Sequence, residues 1–357
     1  MTILLFLAGL ALLILGAELL VRGASRLSLS LGIAPLVVGL TVVSFGTSAP
    51  ELAISIKAAL DGQTDLALGN VVGSNIFNIL FILGLSALVA PLVVDRQLVR
   101  QEVPILVGLC LLVGWMALDR EISFADGLVL VALLLAYTGL LYHIGRNSAP
   151  DAVADPLVTG AASPWMSKLW VQLLLMVVGL LMLVFGSRWL VQSATVFATM
   201  LGVSPLVIGL TIVSAGTSLP EVATSVIAAA RGEREIAVGN VMGSCIFNLV
   251  CVLGISALVA PDGLGVPSAL LTFDLPVMFA VSLACLPVLF TGHLIARWEG
   301  ALFLAYYVFY TTYLVLWAQD HDSLDEYTWV MRTVVIPLTA VTLSVVAWRE
   351  LYQRRRA

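Results

Sequence analysis

The chain repeats itself. When the sequence is shifted by 170 residues, 35–91 lies on 205–261, with 35 identities and 22 differences over 57 positions. PLVVGLTVVSFGTSAPELAIS becomes PLVIGLTIVSAGTSLPEVATS, and LALGNVVGSNIFN becomes IAVGNVMGSCIFN. The shared residues include Gly, Thr, Ser, Pro, Glu and Asn, which two merely greasy helices would not align. An internal repeat of this length dictates architecture before any local propensity does.

The repeats sit in a membrane sequence. Of the residues 61% are hydrophobic and 11% charged, against roughly 25% charged in soluble domains. This excludes a soluble globular protein, a disordered chain and a nucleic-acid binder. The apolar runs are continuous rather than alternating, which argues for helices over a transmembrane barrel. They fall at about 3–21, 32–59, 66–90, 102–118, 124–142, 169–190, 202–229, 236–260, 268–290, 299–317 and 328–348, eleven spans in all. The first has no basic stretch before it and no cleavage site after it, so it reads as a retained span. Run 32–59 has 28 positions, about 42 Å of helix, so it must tilt, bend or break in a core roughly 30 Å thick.

Each repeat holds five spans. An odd number makes the second copy enter from the opposite side. The expectation is an all-α polytopic membrane protein: a first inverted repeat over 1–142, a cytoplasmic linker over 143–168, a second repeat over 169–317, and an extra helix with a basic tail over 318–357. Inverted repeats of this kind place a substrate site near the bilayer midplane. With the N-terminus outside, Lys and Arg residues divide 13 to 4 in favour of the cytoplasmic segments, which also puts the C-terminus inside.

Two acids, Glu51 and Glu221, lie in the middle of apolar spans, and no Lys or Arg lies deep in any span. Intramembrane carboxylates cost several kcal/mol and mark ion or substrate paths. Ser44, Ser48, Glu51 and Ser55 share one helix face, and Ser214, Ser218, Glu221 and Ser225 repeat it, with Thr47 and Thr217 alongside. Pro50 and Pro220 remove an N–H beside each acid, which predicts a helix break there. The next spans carry the stripes Asn70, Ser74, Asn78 and Asn240, Ser244, Asn248. Gly69 with Gly73, and Gly239 with Gly243, allow close helix approach. Every candidate ligand is an oxygen donor, as Ca²⁺ requires. His143, His293 and His321 stand near span ends, and the four cysteines lie in apolar runs, which disfavours soft metals and a disulfide framework.

GTSAPE and GTSLPE, each followed by GNVxGSxIFN, resemble the two alpha repeats of the sodium/calcium exchangers, and most of all those of bacterial calcium/sodium antiporters. The resemblance covers 1–317. It implies antiport of Ca²⁺ for Na⁺ by alternating access, with the first and sixth spans sliding across a fixed core, in a bacterial inner membrane. It implies that Glu51 and Glu221 are shared Ca²⁺ and Na⁺ ligands. Thr47, Ser48, Thr217 and Ser218 would add hydroxyls and carbonyls, Ser44 and Ser214 carbonyls to an outer Na⁺ site, and Ser74, Asn78, Ser244 and Asn248 would flank the rest. Some relatives carry Asp where this chain has Asn248, which bears on the charge of the site and on K⁺. No cofactor is expected. H⁺-coupled Ca²⁺ exchange is the nearest alternative and a Ca²⁺ channel a more distant one. An intramembrane protease would need catalytic Asp pairs, a Ser–His pair or a His–metal motif that the spans lack, so an enzyme is not expected.

Overall fold

The computed structural model describes residues 2–147, 168–201, 212, 214–290, 293–319 and 321–342. Its first half comprises α1 (Thr2–Leu31), α2 (Pro35–Thr47), α3 (Ala49–Leu60), α4 (Thr64–Val89), α5 (Leu98–Asp119) and α6 (Phe124–Asn147). The second comprises α7 (Leu169–Met200), α8 (Leu219–Ala230), α9 (Arg234–Val259), α10 (Leu275–Phe290) and α11 (Arg297–Ala318). Most of the linker, and most of the stretch leading into α8, lie outside the described residues.

The chain is all-α and polytopic. Continuous apolar sequence satisfies its own backbone only as helix when no water is present. The outer helices keep large apolar side chains exposed, such as Leu4, Leu7, Leu135, Val177 and Val308, as a lipid-facing surface requires. Helices α4 and α9 are instead buried on nearly every side. They carry the polar stripes, so the most polar spans are the ones furthest from lipid.

The two halves interlock. Helices α1 and α7 cross antiparallel, Gly9 meeting Gly186 and Gly16 meeting Gly179; a Cβ on Gly16 would stand 2.8 Å from the Gly179 carbonyl. Gly84 of α4 meets Gly300 of α11, and its repeat counterpart Gly254 of α9 meets Gly127 of α6. Each half thus supplies the helix that covers the buried helix of the other. Gly239 and Gly243 of α9 press against the backbone of α2 at Leu36 and Leu40, the close approach their spacing predicts.

Two short antiparallel ladders tie the connections. β1 (Leu92–Val93) pairs with β4 (Leu294–Ile295), and β2 (Glu121–Ile122) with β3 (Leu264–Gly265). The first joins the α4–α5 and α10–α11 connections, the second the α5–α6 and α9–α10 connections. An inverted pair of five-span repeats puts each of those pairs on one face.

Wider π-helical turns recur in register. One runs Asn78–Leu83 within α4 and its counterpart Asn248–Leu253 within α9; others, Leu98–Glu102 and Leu270–Asp274, begin the following spans. A further helix, α12 (Leu324–Val330), opens a helical stretch that continues to 342 and, among the described residues, has no counterpart in the other half. It docks on α11 through Tyr327, whose hydroxyl donates to the Phe309 carbonyl at 2.8 Å, and through Tyr306 and Thr339 at 2.5 Å. The last residues of the span expected at 328–348 lie outside the described residues.

Candidate functional site

The breaks fall where the sequence predicts them. Ser48 (φ −80°, ψ 3°) and Ser218 (φ −88°, ψ 8°) leave helical geometry, and new helices start at Ala49 and Leu219. Pro50 and Pro220 then occupy the first turn, where no N–H is needed. Helices α2 and α3 meet at 45°. Glu51 and Glu221 stand in the first turn of the new helices, where the helix dipole favours a negative charge.

The two acids are met by the opposite repeat. Ser218 Oγ donates to Glu51 Oε1 at 2.9 Å, and Ser48 Oγ donates to Glu221 Oε1 at 3.1 Å. Both carboxylates are 1% exposed. Among the described residues no Lys or Arg pairs with either of them. Two buried carboxylates with no basic partner leave about two negative charges for a cation to balance.

Asn70 and Asn240 act as brackets. Asn70 Nδ2 donates to Ser55 Oγ at 2.9 Å and to the Glu51 carbonyl at 3.2 Å. Asn240 does the same to Ser225 Oγ at 2.9 Å and the Glu221 carbonyl at 3.5 Å. Their carbonyl oxygens accept across the repeats, from Thr47 Oγ1 at 3.1 Å and Thr217 Oγ1 at 3.5 Å. Each bracket fixes an acid-bearing helix to the polar stripe of its own half and to the broken helix of the other.

Among the described residues, five buried oxygens of the acids and the polar stripes have no hydrogen-bond partner, Glu51 Oε2, Glu221 Oε2, Asn78 Oδ1, Asn248 Oδ1 and Ser244 Oγ, as do the hydroxyls of Ser86, Thr224 and Ser256 further along the same helices. Orphaned buried oxygens are costly unless something else fills their lone pairs. A hard cation with six to eight oxygen ligands does so. Ser74 Oγ lies 3.4 Å from Ser218 Oγ, within the same network. Among the described residues no three His, Cys, Asp or Glu side chains converge, so soft-metal chemistry finds no cage.

Ser44 is turned away. Its hydroxyl donates to the Leu40 carbonyl at 2.7 Å, and its own carbonyl accepts from Thr47 Oγ1 at 3.3 Å and the Ser48 N–H at 3.0 Å. Ser214 begins a single helical turn, Ser214–Gly216, ahead of the second break. Asn75 is a residue that hydropathy and striping do not single out. Its Oδ1 accepts from Asn248 Nδ2 at 3.4 Å, which leaves the Asn248 oxygen unpartnered. The signal lay in the repeat itself, since Cys245 replaces Asn75 in an otherwise matching segment.

Comparison with known proteins agrees with this architecture. The sequence profile of the sodium/calcium exchanger protein family matches residues 1–143 and 171–316. The sodium/calcium exchanger MaX1 of Methanosarcina acetivorans is 33% identical over 347 residues, covering 85% of this chain and 96% of its own. The inner membrane protein YrbG of Escherichia coli is 40% identical over 259 residues, 72% of this chain and 79% of its own. Among solved structures, the sodium-calcium exchanger NCX_Mj superposes with a TM-score of 0.73 at 31% identity, over 86% of this chain and 96% of that one. By profile, sequence and fold, the chain belongs to the sodium/calcium exchanger family and is a membrane cation/Ca²⁺ antiporter rather than an enzyme.

Proposed function

We propose that the protein moves Ca²⁺ across the membrane in exchange for Na⁺ by alternating access, and that both ions use the oxygens around Glu51 and Glu221. The observation that carries this reading is the pair of buried carboxylates, each met by the opposite repeat. Each has one oxygen held by a serine of the opposite repeat and one left open. Thr47, Ser48, Thr217 and Ser218 shape the centre. Ser74, Asn78, Ser244 and Asn248 complete it from α4 and α9, and Ser44 and Ser214 supply backbone at its edge. Two fixed charges are matched by one Ca²⁺ or by Na⁺ ions, so the ions compete. An unbalanced charge would be costly to carry past lipid, which couples the two fluxes.

The organisation fits this role: halves over 1–142 and 169–317, joined by the linker 143–168, with 318–357 appended. The basic split supports an N-terminus outside and a C-terminus in the cytoplasm. Similarity to the inner membrane protein YrbG supports the bacterial inner membrane. H⁺ coupling stays the second reading for one specific reason: among the described residues the charged groups in the centre are carboxylates, which can take protons as well as cations.

⁴⁵Ca²⁺ uptake into proteoliposomes separates the two. Na⁺-loaded vesicles diluted into choline should accumulate Ca²⁺, and a Na⁺ ionophore should abolish the uptake. A pH gradient alone should drive none. Uptake driven by the pH gradient without Na⁺ would replace Na⁺ by H⁺ as the coupling ion.

A further inference from the structure

The 170-residue register extends beyond the motif segments into α1 and α7. Gly9 falls on Gly179, Gly16 on Gly186, Leu20 on Leu190, Val21 on Val191 and Ala24 on Ala194. In that register Glu18 falls on Arg188, and Asp61, just past α3, falls on Arg231, just past α8. Both positions reverse sign. The product of the charges is therefore attractive in each half, although no residue is shared.

Only one of these two pairs is made. The Arg231 guanidinium engages both carboxylate oxygens of Glu18, and Arg22, one turn along α1, holds Glu18 at 2.6 Å. Beside them Ser25 Oγ donates to Glu233 Oε1 at 2.6 Å. These contacts fasten the Arg22 end of α1 to the α8–α9 connection. At the opposite face Arg188 and Asp61 form no ion pair among the described residues. Thr195 and Gln63, the counterparts of Ser25 and Glu233, have no side-chain bond to each other there.

Helices α1 and α7 pack backbone against backbone at two glycine levels, which favours their moving as one unit. In that antiparallel crossing Glu18 lies level with Val177 and Arg188 level with Leu7. The two charges therefore stand eleven residues, roughly 16 Å, apart along the pair. A displacement of the pair along its length that parts Glu18 from Arg231 carries Arg188 the same way. The pseudo-twofold relation between the halves makes the mirror contact the end point of that displacement.

We infer that Glu18–Arg231 and Arg188–Asp61 are alternate latches, one at each membrane face, made in turn as the α1–α7 pair shifts against the core. The inference rests on the alternating-access reading but not on which ion is coupled. The Glu18–Arg231 pair is partly exposed, and Arg188 and Asp61 are exposed, so each latch is weak enough to release. Their near-equal chemistry keeps the two states close in free energy, as a carrier that must visit both requires.

The test uses the full-length protein in proteoliposomes, with a short cleavable bifunctional thiol reagent. The native cysteines are buried, and the unmodified protein serves as blank. Two variants carry the double substitutions Glu18→Cys with Arg231→Cys, and Asp61→Cys with Arg188→Cys. Both pairs should link, although only the first is in contact here. Linking either should stop exchange, and cleaving the linker should restore it.

Adding Glu18→Gln to the second variant should raise its linking rate about two- to five-fold, as loss of a partly exposed ion pair allows. Glu18→Arg with Arg22→Gln and Arg231→Glu, which copies Arg188, Gln192 and Asp61 of the opposite face, should return wild-type behaviour. Failure of the Asp61–Arg188 pair to link in a protein that still exchanges Ca²⁺ would overturn the inference, as would a linking rate indifferent to Glu18. Vesicles in which both pairs link but no Ca²⁺ moves would leave the latches standing and remove the exchanger reading instead.

Discussion

In the first half, Ser48, Glu51 and Asn70 build one side of the site; in the second, Ser218, Glu221 and Asn240 build the other. The two sides use the same bonds, crossed: each serine donates to the acid of the opposite half, and each asparagine brackets its own acid while accepting from the opposite threonine. Differences between the halves gather one shell out and at the ends. Asn75 faces Cys245 in the alignment, Phe45 faces Ala215, and Lys57 faces Ile227. Where charge is balanced at the centre of the membrane, duplication is kept. The copies have diverged where the chain meets lipid or water, at Phe45 and Lys57, and at one buried position beside Asn248, where Asn75 faces Cys245. Equivalence in this protein is strictest in the dozen side chains around the two acids and looser outside them.

The largest effect that could break the equivalence is at the acids. Glu51→Gln and Glu221→Gln each remove one of two central charges while keeping the shape. Each should lower Ca²⁺ exchange by about a hundred-fold or more, because the remaining buried carboxylate cannot match a divalent ion. ⁴⁵Ca²⁺ flux at equal protein density measures both. Near-normal exchange by either folded variant would remove that acid from the site.

The crossed serines come next. Ser218→Ala and Ser48→Ala each take one donor from a buried carboxylate, and each should weaken exchange about ten-fold. A large loss from only one would mean that a single half bears the ion.

A smaller change is expected at Asn248. Glu51 and Glu221 give two charges, which one Ca²⁺ balances, so the native protein should need no K⁺. Asn248→Asp adds a third acid and should make exchange depend on pH or on an added monovalent cation. Flux profiles across pH with and without K⁺ read this out. Superimposable profiles for the two proteins would reduce Asn248 to a bond across helices.

The smallest effect belongs to Cys245→Asn, which restores the sequence of the first half beside Asn248. Exchange should change by about three-fold or less, the scale of one neutral hydrogen bond. A strong effect would show that this asymmetry serves the site.

Much of this could be read from the sequence, for definite reasons. The shift of 170 carries polar residues that hydropathy cannot align, so the duplication and its inversion followed. Proline next to glutamate in an apolar run predicts both the break and the buried charge, and both breaks lie at the expected residues. What one sequence does not contain is the relation between the two stripes. Nothing along the chain says that Ser218 faces Glu51 rather than Glu221, since that depends on how two separate helices cross. The π-helical turns at Asn78 and Asn248 were also hidden, because a one-residue widening leaves no mark on an apolar pattern. Glu18 reads as an ordinary charge at a span end until Arg231 is placed beside it. The two-residue strands at Leu92 and Leu294 disappear into the apolar sequence around them.

The crossed bonds have a consequence for biosynthesis. Glu51 leaves the ribosome 167 residues before Ser218, the hydroxyl that caps it. At about 5–20 residues per second, that is a delay of roughly 8 to 33 seconds. For that interval the first half has a carboxylate at membrane depth and no second repeat to receive it. The nascent half therefore stays beside the water-filled insertion machinery, or holds its acid neutral, until the second half arrives.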